Sequence, residues 1–298
     1  MDGIKHTTGL CIILVVLFFA AAPGFSGVFI DELGRRVNIP SNPARIVSLA
    51  PNITEILFSL GLDKEIVGVT MFSNYPDAAA RKAKVGSYIN LSIEKIVALN
   101  PDLIISTVQG NKKETVLYLA QIGFPVYVVN SASFEDMFKA IVRIGRITSR
   151  ETEARELVDN LNERVTRIVS RTEGSGKPRV LLQIGIDPIV SVGKSTIQDR
   201  LITLAGGISV TGDMGYGYPR LGMEKIISKK PDIIIVSSMK RGGDFVAVKN
   251  KWKKWKDIPA VRNDRIYVID SDLTDHPSPR IVDGLEELAE MIHPEVMK

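Results

Sequence analysis

Cysteine is almost absent from this chain of 298 residues: the single thiol, Cys11, lies inside an apolar run near the start. Past that run no disulfide, thiolate metal site, iron–sulfur cluster or cysteine nucleophile can be built. Histidine is nearly as scarce. Beyond His6 there are only His276 and His293, too few for a zinc or manganese site made of several imidazoles. No GxGxxG occurs. The fragment Val192–Thr196 (VGKST) resembles the tail of a phosphate-binding loop, but Pro188 stands where the loop's first glycine belongs, which argues against nucleotide binding. No Ser/His/Asp or Cys/His set has usable spacing, so hydrolytic chemistry lacks a base. Charge of one sign is missing too. The net +4 at pH 7 is spread along the chain without an arginine-rich arm, and nucleic acid is not an expected partner.

What is present is the composition of an ordinary soluble protein, 45% hydrophobic and 24% charged, with length for two domains. Residues 1–27 stand apart. Lys5 and His6 precede an apolar run from Leu10 to Ala22, too short for a membrane span but right for the core of a secretory signal. Cleavage is expected near Ser26, since Pro23 disfavours a cut after Ala22; a retained N-terminal anchor is the alternative. Cys11 lacks the small-residue context of a lipoprotein site.

The chain then says one thing twice. Ser92–Ile105 (SIEKIVALNPDLII) and Gly222–Ile235 (GMEKIISKKPDIII) agree at seven of fourteen positions. Each predicts a short amphipathic helix with Glu94 or Glu224 in its first turn, where a carboxylate suits the positive helix end. Pro101-Asp102 or Pro231-Asp232 stops the helix. A buried parallel strand follows. The echo extends outward: strands at Arg45–Leu49 and Arg179–Gln183, later strands at Pro125–Asn130 and Arg265–Asp270. Two α/β lobes of one plan are therefore expected, with a cleft between them. They divide as 28–148 and 174–298. Between them, 149–173 predicts one helix, opened by a capping box at Thr148 and Glu151 and carrying the apolar stripe Ala154, Leu157, Val158, Leu161, Val165, Ile168 and Val169. Such a connector implies a stiff hinge with limited closure.

Ligands of open α/β sheets bind beyond the carboxyl ends of the strands. Pro51 and Asn52 follow the first strand there, ahead of a helix beginning at Thr54 and Glu55. Gln109 follows the strand Leu103–Thr107, and Gly185 the strand Val180–Ile184. Phe72, Tyr75, Tyr88, Tyr216 and Tyr218 fall in loops of both lobes at the same end. Loose tyrosines often pack locally, but this distribution suits a wide, partly apolar pocket for a large planar ligand. Lys251–Lys256 (KWKKWK) fits an amphipathic turn with Val248, Trp252 and Trp255 inward better than a membrane or nucleic-acid patch. Glu94 and Glu224 have a plain helix-dipole reading. They also have a functional one, as two docking points for a pseudo-symmetric basic partner.

The segments RIVSLAPNITEILFSLGL, GVTMFSNYP, the two repeated units, LLQIGIDPIVSVGKSTIQD and SPRIVDGLEEL resemble the helical-backbone (class III) substrate-binding proteins of ABC importers. The likeness covers about residues 29–292 and is nearest to the cobalamin-binding members, extending to iron–siderophore and haem binders. It implies an α/β fold of two Rossmann-like lobes joined by one long α-helix, with the ligand in the cleft. The implied ligand-binding set is Pro51, Asn52, Phe72, Tyr75, Tyr88, Gln109, Gly185, Tyr218, Asp272 and His276. Tyr88 falls where a cobalamin binder stacks a tryptophan on its ligand. Phe72 replaces a tyrosine, and Asp272–His276 lacks the aromatic and the arginine of that family. The resemblance further implies an extracytoplasmic place and no enzymatic activity, cofactor or resident metal. The expected ligand is a corrinoid or other metal chelate. The expected partner is a homodimeric ABC permease with its ATPase subunits, docked at Glu94 and Glu224. A siderophore or haem receptor, a tetrapyrrole or metal-cluster enzyme on a similar fold, and an anchored sensor domain are the alternatives.

Overall fold

The computed structural model of the chain describes residues 26–238 and 245–297. The expected leader up to residue 25, residues 239–244 and the side chain of Val248 lie outside the described residues. An antiparallel hairpin of β1 (Ser26–Ile30) and β2 (Arg36–Pro40) opens the fold, with Ser26 opposite Pro40 and Gly34 turning at φ +72°.

Its sheet comprises β3 (Ile46–Ser48), β4 (Ile66–Val69), β5 (Ala83–Lys84), β6 (Leu103–Thr107) and β7 (Val126–Val129). All are parallel, in the order β5-β4-β3-β6-β7. Every residue of β3, β6 and β7 is buried, as befits strands covered on both faces. The C-terminal lobe has β8 (Arg179–Ile186), β9 (Ile189–Ser191), β10 (Ile208–Ser209), β11 (Arg220–Leu221), β12 (Ile233–Ser238) and β13 (Ile266–Asp270). Here β8, β10, β12 and β13 run parallel, while β9 and β11 add an antiparallel edge.

The repeated unit occupies the same station in each lobe. The helices Ile93–Ala98 and Met223–Lys229 lead into β6 and β12, the strands that pair with β3 and β8. The aspartate of each Pro-Asp pair binds the chain entering that first strand. The Asp102 carboxylate accepts the N–H groups of Ala44 and Arg45 at 2.8 and 2.9 Å, and the Asp102 N–H reaches the Arg45 carbonyl at 3.0 Å. The Asp232 carboxylate accepts the Arg179 N–H at 2.9 Å, and its own N–H reaches the Arg179 carbonyl at 2.8 Å. The residues before the two prolines, Asn100 and Lys230, both turn left-handed, at φ +44° and +45°.

The connecting helix runs from Glu151 to Thr172, about 33 Å at 1.5 Å per residue. The expected capping box does not form. The Thr148 hydroxyl instead bonds the Ile144 carbonyl of the preceding helix, Phe134–Ile147, and Ser149 turns at φ +53° to let the next helix start. Ala154, Leu161 and Ile168 are buried between Phe134–Ile147 of one lobe and Ile281–Ile292 of the other. Arg164 reaches Asp283 and Glu286, both at 2.8 Å. Elsewhere Trp252 is buried and Trp255 half-buried, with Lys251, Lys253 and Lys254 in solvent, the arrangement expected of KWKKWK.

A left-handed lysine has a backbone cost that asparagine bears more easily. Replacing Lys230 by Asn, the residue of the other copy, is expected to raise unfolding stability by roughly 0.5–1 kcal/mol. Denaturant midpoints check this, and a lower midpoint would show that the lysine side chain outweighs its backbone strain.

Candidate functional site

A cavity of about 610 Å³ opens between the lobes at the carboxyl ends of their strands. From the N-terminal lobe come Ala50, Pro51 and Asn52 after β3, Tyr88 from the loop after β5, Thr107 and Gln109 from β6 and its loop, and Ser131 and Ala132 after β7. The loops after β3 and β6 diverge where the strand order reverses, the switch point at which such sheets hold ligands. The C-terminal lobe supplies Lys194 to Ile197, Tyr216 to Tyr218, and Asp275 to Pro277.

Of the residues expected at the site, Pro51, Asn52, Tyr88, Gln109, Tyr218 and His276 line this one cavity. Phe72, Tyr75, Gly185 and Asp272 are outside its lining. Phe72 projects into solvent, and Tyr75 lies under the Arg280 guanidinium, 3.9 Å from ring centre to guanidinium carbon. Gly185 is in β8 against Val190, and Asp272 belongs to a 3-10 turn, Ser271–Leu273. Helix formation also starts earlier than expected, at Pro51 rather than Thr54: proline suits the first helical position, where no N–H is needed.

Three amides, Asn52 and Asn111 buried and Gln109 exposed, organise the N-terminal wall. Asn111 accepts the Thr107 N–H and donates to the carbonyls of Leu49 and Tyr88, at 2.9, 2.9 and 2.7 Å, so one side chain ties three loops together. Asn52 donates to Ser131 Oγ at 2.8 Å. Gln109 donates to Asn130 Oδ1 at 2.6 Å and accepts the Thr107 hydroxyl at 2.9 Å. The Tyr88 ring rests on the backbone of Gly110, where an added Cβ would come within 2.2 Å of it.

Sequence reasoning missed Asn111 and the Lys194–Ile197 segment. The glycine of VGKST has a packing role: the Gly193 N–H reaches the Gly217 carbonyl at 2.7 Å and the Lys194 N–H the Gly215 carbonyl at 2.8 Å, holding the Tyr216–Tyr218 loop over the cavity. The close approach of those carbonyls leaves no room for a Cβ at Gly193. Lys194 is exposed on the rim, and Tyr216 is 79% exposed. The Tyr218 phenol is pushed above its ordinary pKa, mainly by burial, so it stays a neutral donor and acceptor. Asp275 accepts from Thr274, Gln198 and Ser237 at 2.9, 3.4 and 3.3 Å. Burial nevertheless raises its pKa, against those bonds and the charge of His276. Among the described residues no group of three His, Cys, Asp or Glu side chains is arranged to hold a metal ion.

This is the build of a two-lobed binding protein with its ligand site between the lobes. The family model described as periplasmic binding protein matches residues 46–273, and the chain belongs to that family. A Bacillus subtilis relative, an uncharacterized ABC transporter substrate-binding lipoprotein, YvrC, is 32% identical over 277 residues, covering 90% of this chain and 86% of its own length. The solved periplasmic vitamin B12-binding protein BtuF of Vibrio cholerae superposes with a TM-score of 0.73 at 26% identity, over 86% of this chain and 98% of that one. The periplasmic heme-binding protein HutB of the same species gives 0.76 at 25% identity, over 84% and 99%.

The raised pKa of Asp275 means that, between the ordinary aspartate value and the raised one, the folded protein keeps a proton that the unfolded chain releases. Stability therefore falls as pH rises through that window. Asp275→Asn keeps an acceptor and removes the partly desolvated charge. Its melting temperature is expected to match or exceed that of the parent at neutral pH, the gap closing below the ordinary aspartate range. A marked loss at neutral pH in thermal scans would show that the charge itself is needed.

Proposed function

We propose that this protein captures a corrinoid, or a closely similar bulky metal chelate, outside the cytoplasm and delivers it to the permease of an ABC importer without covalent chemistry. The observation that carries the reading is a single cavity into which both lobes bring tyrosines, Tyr88 from one and Tyr216 and Tyr218 from the other. Ring faces with polar tips suit a large flat ligand edged with amides. Its volume falls within the ordinary range of small-molecule sites, about 300–1,000 Å³. The kinship with a vitamin B12-binding protein supports the choice of ligand, and the lipoprotein relative supports an extracytoplasmic place. Calorimetry with cyanocobalamin is expected to show one-to-one binding. Tyr88→Ala and Tyr218→Ala should each weaken it by about 1–3 kcal/mol, the scale of a lost buried aromatic contact. Unchanged affinity in both variants would remove these rings from the site.

The likeness to HutB favours haem as a second reading. Haem titration followed by its absorption spectrum decides: a tight, tyrosine-dependent spectral shift without cyanocobalamin binding would replace the corrinoid.

Delivery rests on the repeated glutamates. Glu94 and Glu224 are exposed in the first turns of equivalent helices, and no ion pair holds either among the described residues. Both helices start at the strand ends bordering the cavity. Two equivalent acids match a homodimeric permease that presents two identical basic sites. Exposed charge pairs set orientation more than affinity. Glu94→Arg combined with Glu224→Arg is expected to leave folding and cyanocobalamin binding intact and to abolish uptake into vesicles containing the permease and its ATPase subunits. Surviving uptake, or lost ligand binding, would make the glutamates structural.

A further inference from the structure

The motifs around Thr54-Glu55 and Ser278-Pro279-Arg280 meet across the cleft. Glu55, in the helix Pro51–Ser59, is only 5% exposed. Its carboxylate faces three side chains of the other lobe. Oε2 accepts the Ser278 hydroxyl at 2.7 Å, while Oε1 lies 3.2 Å from His276 Nε2 and 3.4 Å from an Arg280 nitrogen. Arg280 in turn stacks on Tyr75, which returns the contact to the first lobe. A buried carboxylate without donors is strongly disfavoured, so the lobes cannot part here without exposing or orphaning it. Among the described residues the other cross-lobe ion pair, Arg200 with Glu135, is exposed at both ends and holds little. His276 belongs at once to this cluster and to the cavity wall.

We propose that Glu55 is a positioning residue: through Ser278, His276 and Arg280 it fixes the separation of the lobes beside the cavity, so that the site is already shaped before ligand enters. The ligand readout below rests on the corrinoid reading, whereas the distance readout needs no ligand. Spin labels are placed at Glu94→Cys and Glu224→Cys in a Cys11→Ser background, and the distance between them is measured by pulsed dipolar spectroscopy on unliganded protein. With Glu55 present the distribution is expected to be narrow. Glu55→Gln and Arg280→Ala should each broaden it, and the double variant should be no broader than the wider single one, because both act through one cluster. Ser278→Ala, which keeps the charges and removes a single donor, carries the same test should Glu55→Gln not fold. If the binding-competent population falls to about a tenth, cyanocobalamin affinity falls about tenfold with it. An unbroadened distribution in folded Glu55→Gln, or additive broadening in the double variant, overturns the proposal. Absent cyanocobalamin binding in the parent overturns the ligand reading alone, and the distances still decide the role of Glu55.

Discussion

Ala154, Leu161 and Ile168 of the helix Glu151–Thr172 are buried between the two lobes, with Val169 of the same stripe left exposed, and the position of everything else at the cleft follows from that burial. Ala154 packs on the N-terminal lobe and Ile168 towards the C-terminal one, so the two sheets share a single core through the connector. Removing a side chain such as Leu161 from water is favourable by about 1.5–3 kcal/mol, and peeling the helix from either lobe would reverse several such terms together. Wide opening about a flexible strand is therefore closed to this fold. What motion it has must come from small sliding of packed helices, which makes the cavity largely a standing feature of the unliganded molecule.

The repeated stretch was the most legible part of the chain because its message is local. A helix stop at Pro-Asp and a continuous apolar strand depend on neighbours in sequence, and β6 falls on the very residues expected of it. The aspartate's second task was not legible. Receiving the N–H groups of Arg45 or Arg179 is a contact between segments more than fifty residues apart, and nothing in the local pattern announces it. The connecting helix shows the same division. Its stripe sets its existence and its buried face, but its start is decided by how the previous helix ends, with Thr148 bonded backwards to Ile144 instead of capping forwards.

At the site, loop position proved a fair guide to which segments reach the cavity and a poor guide to which way a side chain points. Tyr75 and Tyr88 both sit in aromatic loops of the first lobe. Gly110 offers Tyr88 a flat backbone to lie on at the cavity, while Arg280 draws Tyr75 to the junction. Asp272 and Asp275 are one turn apart, and only the second lines the cavity. The Lys194–Ile197 segment was passed over for a chemical reason: once Pro188 ruled out a phosphate loop, its other use, as the bed for the Tyr216–Tyr218 loop, had no sequence signature beyond Gly193.

The two walls of the cavity contribute unequally, and the difference bears on what kind of ligand is recognised. On the N-terminal side the amides of Asn52, Gln109 and Asn111 are already bonded to their own lobe, so that wall offers shape and the face of Tyr88 more than free donors. The C-terminal side carries the exposed rings of Tyr216 and Tyr218 and the Lys194 rim. The acid on that side, Asp275, has its pKa raised by desolvation at the cavity. A small, highly charged solute would find little on either wall to replace its hydration. A broad ligand that keeps its metal within its own macrocycle and presents rings and neutral edges would find one prepared face and one adaptable face. Such a cavity selects by shape and ring contact more than by charge.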